Sequence, residues 1–309
     1  MNIEKLTSIK ILDTLAFCYN TSTEVRKIEK EVVKKEVMKE AVKMEKLLKV
    51  ANSMKIIFTD LDGTLLDEKY GYEKAIPIIK KLKKIGVPIV FVSAKTRFEQ
   101  EVFRKKLGIN DPFIVEDGSA IFFPRKYFGK VVGKNFNGYE AIVLGVKYEE
   151  IVKKLKELRL RYNIKSYSFM SVEEVAKVTG LNFEMARLAK MREFSETIVE
   201  IDESALNEIK KNFNITIGGR LVHVYGKNTD KGRAVKITTN LFRNLYGKVL
   251  TFGIGNSYTD IPMLKSVDFP ALVKNPDGWI EVDFEVYKAD GIATNGWIEF
   301  VEKFVLGGD

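Results

Sequence analysis

The sequence holds a single cysteine, Cys18, so no disulfide can form within the chain and a reducing compartment, the cytoplasm, is expected. No apolar run approaches the ~18 residues of a membrane-spanning helix, so neither a span nor a membrane partner is expected. The first residues lack the apolar stretch and small-residue cleavage site of a secretory signal. Glutamine occurs once, as Gln100, beside abundant lysine, glutamate and isoleucine, a bias that fits a thermophile's proteome. Histidine also occurs once, and His223 by default reads as a packed or surface residue. Acidic charge is short of basic charge, leaving a formal net charge of +9. The lysines are scattered among glutamates on predicted helical faces, so the excess does not predict nucleic acid as a partner. It suits a small anionic molecule.

A length of 309 residues predicts about two domains, and 45% hydrophobic residues suffice for a real core. Residues 1–53 stand apart. From Glu24 to Val50, Val25, Ile28, Val32, Val33, Val37, Ala41 and Met44 form an apolar stripe at helical spacing among Lys and Glu. This segment is expected to be a helical extension, either an accessory arm or the product of a mis-called start codon, with Met54 as the natural beginning. From Met54 apolar strands and amphipathic helices alternate. This predicts an α/β fold, a doubly wound parallel-sheet (Rossmann-like) core over 54–130 and 225–309. Between 131 and 224 the texture changes to an inserted α+β cap. There Ser166–Phe169, Glu196–Ile201 and Thr216–Val224 read as strands, and Ser171 with Glu174 as a helix-opening capping box.

The core is organised around Lys55–Asp67, read K-I-I-F-T-D-L-D-G-T-L-L-D. Ile56, Ile57 and Phe58 form an uninterrupted β-favouring run, the pattern of a strand buried on both faces. Asp60 and Asp62 follow at its carboxyl end, where parallel sheets bind ligands. Two acids so close demand compensation by metal, hydrogen bonds or catalysis. A second buried strand, Val87–Val92, ends at Ser93, and the next residues, Ala94-Lys95-Thr96-Arg97, bring cations and a hydroxyl to a loop where an anion can sit. Lys231, in Asn228-Thr229-Asp230-Lys231-Gly232, opens a helix whose positive end favours phosphate. Gly253-Ile-Gly255-Asn256-Ser257-Tyr258-Thr259-Asp260 follows another strand, but lacks the third glycine of a dinucleotide fingerprint.

Asp60-Leu-Asp62-Gly63-Thr64 resembles the first motif of the haloacid dehalogenase superfamily of phosphohydrolases. That resemblance implies that Asp60 attacks phosphorus, that Asp62 protonates the leaving alkoxide and then activates water, and that Mg2+ bridges acid and phosphate. It also implies that Ser93 holds a phosphate oxygen and Lys231 offsets charge beside the nucleophile. The 253–260 segment resembles the fourth motif, G-D-x-x-N-D, with Asn256 in place of the first Asp and Thr259 in place of the Asn. The expected metal ligands are Asp60, Asp62, Asn256 and Asp260, with the division between the last two open. An amide is a weaker ligand than a carboxylate for a hard cation.

Further strings, A-x-x-A-x-x-R-E-F-S-E (from Ala186), Gly218-Gly219-Arg220-x-x-His223, Asn-x-Asp-Lys-Gly and Ser-x-Lys-Thr, resemble the mannosyl-3-phosphoglycerate phosphatase family, with a type C2 cap. This implies a substrate with a phosphate, a carboxylate and a sugar, hydrolysed to the compatible solute mannosylglycerate. The residues of the right kind to bind it are Lys95, Thr96, Arg187, Arg192, Glu193, Ser195 and Arg220. Arg187 and Arg192 lie five apart and so diverge on a regular helix, which leaves one of them for a surface ion pair. The competing readings are a phosphatase of another sugar phosphate or phosphoglycolate, and a non-catalytic binding protein on the same fold.

Overall fold

A computed structural model describes residues 53–218 and 221–307. The helix expected over Glu24–Val50 and the site candidate Arg220 lie outside the described residues. From Met54 the chain runs β1 (Met54–Thr59), α1 (Ile76–Lys84), β2 (Ile89–Val92), α2 (Arg97–Leu107), β3 (Phe113–Val115), β4 (Ala120–Pro124), β5 (Lys134–Phe136) and β6 (Tyr139–Val143). It continues through α3 (Tyr148–Arg159), β7 (Ile164–Ser166), α4 (Val172–Thr179), α5 (Phe183–Ala189), β8 (Ser195–Ile201), α6 (Glu203–Lys210), β9 (Phe213–Gly218) and β10 (Leu221–Gly226). The last elements are α7 (Lys231–Tyr246), β11 (Val249–Gly255), α8 (Ile261–Leu264), β12 (Phe269–Lys274), β13 (Tyr287–Ile292) and α9 (Thr294–Phe300).

Among the described residues the main sheet has nine strands in the order β13-β12-β11-β1-β2-β3-β4-β6-β5. The six from β13 to β3 pair in parallel, and β4, β6 and β5 close the edge antiparallel. Successive residues of β1 serve opposite faces, as a two-residue strand period requires. Ile57 packs with Ile78, Ile79 and Leu82 of α1 and Phe103 of α2, while Ile56 and Phe58 pack with Ala234, Val235 and Phe242 of α7. Helices on both faces make the sheet doubly wound. β1 sits between β11 and β2, where the winding direction changes, so its carboxyl end opens into the crevice that binds ligands in such folds.

The cap begins later than the sequence pattern predicts. The stretch 134–143, expected within an insertion starting at 131, pairs with β4 in the main sheet, because Phe136 and Tyr139 complete an aromatic cluster with Phe113 and Phe122. After Val143 a separate four-stranded sheet forms in the order β7-β8-β10-β9, with α3 and α6 on one face. Two strand expectations change. β7 ends at Ser166, and Tyr167–Phe169 becomes a 3-10 turn pinned by Lys190 Nζ, which donates to the carbonyls of Tyr167 and Met170. The segment read as one strand from Thr216 to Val224 is instead the hairpin of β9 and β10. The capping box forms as read, with Ser171 and Glu174 each accepting the other's backbone N–H.

The Phe113–Phe122–Phe136 cluster also takes in Phe194 from the cap, so it joins sheet and insertion in one core. Phe122→Ala is expected to cost about 3–5 kcal/mol, measured by urea unfolding of the two chains. A loss below ~1 kcal/mol would mean the cluster does not behave as one packed unit.

Candidate active site

The loops at the carboxyl ends of β1, β2 and β11, with the start of α7, line one cavity of about 380 Å³. Asp60, Asp62, Ser93, Lys95, Lys231 and Asn256 all face it, and the cap adds Tyr167, Arg192, Thr197, Gly218 and His223. Residues as far apart in sequence as Asp60 and Asn256 therefore meet in one place. Lys231 is the first residue of α7, whose N-cap Asp230 accepts from the Arg233 backbone N–H at 2.8 Å. Its ammonium is 2% exposed and donates to Asp60 Oδ1 at 2.8 Å and Asp260 Oδ1 at 2.7 Å.

Two buried carboxylates thus share one buried ammonium. Burial, followed by the repulsion of Asp260, pushes the Asp60 carboxyl up to about 7, although Lys231 pulls it down. Burial works against the Lys231 charge, but Asp260 and Asp60 together hold it above the usual lysine range. Asp260 has little left to give a ligand. Its second oxygen, Oδ2, accepts from the Asn256 N–H, the Ser257 N–H and Ser257 Oγ, each at 3.0 Å. Asn256 faces the loop after β1: Thr64 Oγ1 donates to its Oδ1 at 3.2 Å, and its Nδ2 donates to Asn275 Oδ1 at 2.8 Å. A Cβ on Gly63 would stand 2.5 Å from Asn256 Nδ2, so only glycine, here at φ +69°, lets the loop pass this close.

On the β2 side, Ser93 is buried at the strand end and its Oγ accepts from the Lys95 backbone N–H at 3.3 Å. Lys95 Nζ lies 3.0 Å from Asp62 and 3.5 Å from Glu99, and although burial opposes it, these two acids hold its charge above the usual lysine range. Thr96, expected to bind substrate, is instead the N-cap of α2. It accepts from the Glu99 N–H and donates to the carbonyl of Leu188 in the cap. Its hydroxyl is consumed by helix and cap.

The cap residues read as substrate-binding also move to other tasks. Glu193 takes both Nε and Nη2 of Arg97 at 3.0 Å, a bidentate bridge from cap to core. Ser195 Oγ donates to Glu116 Oε2 at 2.7 Å, and Glu116 also accepts the backbone N–H groups of Glu193 and Phe194. Arg192 donates to Ser195 Oγ and to the carbonyl of Ala94, and lies 3.7 Å from Glu116, yet it still faces the cavity. Arg187 is turned to solvent and pairs with Glu184 at 2.7 Å. Glu193, Ser195 and Thr96 form a seam, not a binding surface.

Sequence reasoning missed Glu116 and Asp117. Both hold positive φ, +49° and +59°, conformations costly for side-chain-bearing residues and common at functional sites. Asp117 is buried beside His223, Oδ2 standing 3.8 Å from Nδ1. The signal available was the E-D-G string at the carboxyl end of a parallel strand, the position already flagged for Asp60 and Ser93.

Residues 57–278 match the haloacid dehalogenase-like hydrolases. The chain belongs to this family. It is 42% identical over 260 residues to the glucosyl-3-phosphoglycerate/mannosyl-3-phosphoglycerate phosphatase of Persephonella marina, covering 81% of this chain and 97% of that one. Over 223 residues it is 45% identical to the mannosyl-3-phosphoglycerate phosphatase of Pyrococcus furiosus, covering 71% and 91%. Among solved structures it resembles Thermoplasma acidophilum protein 0175 (TM-score 0.60, 21% identity, covering 82% of this chain and 99% of that one). A haloacid dehalogenase-like hydrolase of B. subtilis has the same fold (TM-score 0.58, 14% identity, covering 82% and 100%).

The donor set of this haloacid dehalogenase-like hydrolase fits a hard divalent cation. Asp60, Asp62 and the Asn256 amide present oxygen toward the cavity, and the Asp60–Lys231–Asp260 cluster is one positive charge short. Among the described residues no three acid, His or Cys side chains form a group that could hold a metal ion. Asp60 gives the sign of a pH test. Its raised pKa means the folded chain holds a proton the unfolded chain releases, so its contribution to stability is complete below about pH 4 and lost as pH rises through about 7. Asp60→Asn is therefore expected to melt about 3 °C or more above the unsubstituted chain at about pH 8 in EDTA. The margin should shrink toward about pH 5, and Mg2+ should stabilise only the unsubstituted chain. Parallel melting curves at both pH values would contradict this electrostatic account.

Proposed function

We propose that the chain is a Mg2+-dependent phosphatase that hydrolyses mannosyl-3-phosphoglycerate to mannosylglycerate and phosphate through an aspartyl-phosphate. The observation that carries this reading is the Lys231 ammonium bridging Asp60 and Asp260 on the floor of a cavity that Asp62 and Ser93 also face. Asp60 is buried and pinned through one oxygen, which aims the other at an incoming phosphorus. Attack forms an Asp60 oxygen–phosphorus bond and breaks the ester bond, and the departing alkoxide takes its proton from Asp62. Asp62 is the more exposed of the two acids and can exchange protons with water. Deprotonated, it takes a proton from a water that attacks phosphorus, which frees Asp60 and releases phosphate.

The Ser93 hydroxyl, the amide N–H groups near it and the start of α7 supply donors for phosphate oxygens. Mg2+ held by Asp60, Asp62 and Asn256 would neutralise charge that otherwise sets a carboxylate against a phosphate dianion. Asp260, saturated by its four chain donors, would act on the metal site from behind, by orienting Asn256 and Lys231. Lys95 would steady Asp62 and face substrate anions.

The substrate assignment draws on the relatives' names and on a cavity with a charged floor and mixed walls, where Val178, Leu181 and Leu221 accompany Tyr167 and Arg192. Phosphate release with Mg2+ should favour the mannosyl or glucosyl compound over simple sugar phosphates and phosphoglycolate by about tenfold or more in kcat/KM. Asp60→Asn should abolish it, a loss of at least about 10⁴-fold in kcat. Equal rates across the panel would keep the chemistry and discard the substrate.

A further inference from the structure

We propose that His223, positioned by Asp117, binds the carboxylate of a substrate that carries both a phosphate monoester and a carboxylate. This rests on the phosphatase reading and assigns a specificity residue within the same cavity. His223 lies on β10 of the cap, and its ring faces the cavity that holds Asp60 and Lys231. The Nδ1 edge faces Asp117 Oδ2 at 3.8 Å and Thr197 Oγ1 at 3.5 Å, which leaves Nε2 for a ligand. A Cβ on Gly218 would stand 3.3 Å from Nε2, so the glycine keeps this edge of the ring uncovered.

Asp117 is the unusual partner. It is 2% exposed, and neither oxygen accepts a hydrogen bond from the described residues. A buried carboxylate left this way is costly and calls for a role. Its backbone N–H donates to the Ser93 carbonyl, so the carboxylate is set by the same loop that faces the phosphate. The other cations of the cavity are already engaged: Lys231 with Asp60 and Asp260, Lys95 with Asp62 and Glu99, Arg192 with Ser195 and the Ala94 carbonyl. A second anion entering the cavity needs a positive charge that is not spent. The imidazole can supply it by taking up a proton on Nε2 or Nδ1, with Asp117 behind the ring and the carboxylate in front.

The charged groups around the ring come from four elements. Burial holds His223 below the usual histidine range, Arg192 and Lys231 push it the same way, and Asp117 and Asp62 oppose them. In this balance the ring is neutral without ligand, and an added carboxylate tips it. Asp117 is a positioning residue, acting through His223.

The test uses the full chain carrying Asp60→Asn, which prevents turnover, and two ligands that differ at one group. 3-Phosphoglycerate bears a carboxylate where glycerol 3-phosphate bears a hydroxymethyl group. Calorimetric titration is expected to show 3-phosphoglycerate binding about tenfold or more tighter, the strength of one charge-assisted hydrogen bond. It should also take up more protons than glycerol 3-phosphate, as read from buffers of different ionisation enthalpy. Adding His223→Gln should erase both the preference and the extra proton. Adding Asp117→Asn, which keeps the shape, should reduce both, and gives the same reading if the histidine variant does not fold. A preference that survives undiminished in either folded variant, a parallel loss of affinity for both ligands, or no preference at the outset would overturn the assignment. Turnover of the mannosyl compound by the unsubstituted chain is measured separately, so a failed phosphatase reading is not mistaken for a failed His223.

Discussion

The bridge from Lys231 to Asp60 and Asp260 is the interaction on which the site depends. It ties the end of β1 to the turn after β11 through the first residue of α7, three pieces that no local sequence contact joins. Removing the ammonium would leave two uncompensated buried carboxylates, a loss of about 3–5 kcal/mol by analogy with broken buried ion pairs. The cluster remains one positive charge short even when intact, and burial, with the repulsion of Asp260, raises the Asp60 carboxyl. A fold that holds such a group strained is prepared for a divalent cation and a phosphate, which together redistribute the charge.

Around this floor the cap is fixed by a second set of buried charges. Arg97 grips Glu193 bidentately, and Glu116 collects two backbone N–H groups and a hydroxyl from the cap turn. Burial pushes the Glu116 carboxyl up, and Arg192 works against that shift. Arg192 and His223 line the cavity beside this seam. Its polar groups are therefore spent on geometry, and few are left to touch substrate. The cavity's selectivity falls to the side chains just above the seam.

Much of this was legible in the residues. The apolar β1 run with acids at its end, the serine at the end of β2 and the lysine opening α7 announced themselves by position on a parallel sheet. What the residues did not show is which polar groups the chain itself engages. Thr96, Glu193 and Ser195 have the chemistry of ligand-binding residues, and composition cannot tell whether such groups face a ligand or another part of the chain. The strands at 134–143 were assigned to the insertion because their role is set by aromatic packing against Phe113 and Phe122, distant in sequence. Asp117 was invisible for the same reason: its importance lies in lacking partners, and that is a property of the folded chain alone.

The central claim is that Asp60 becomes covalently phosphorylated. The direct measurement is rapid acid quench of the unsubstituted chain during reaction with mannosyl-3-phosphoglycerate and Mg2+, followed by peptide mass analysis. The account predicts one phosphoryl group on the peptide containing Asp60, labile to hydroxylamine and absent from Asp60→Asn. Turnover with no acyl phosphate on that peptide, or a phosphoryl group on a different residue, would contradict it.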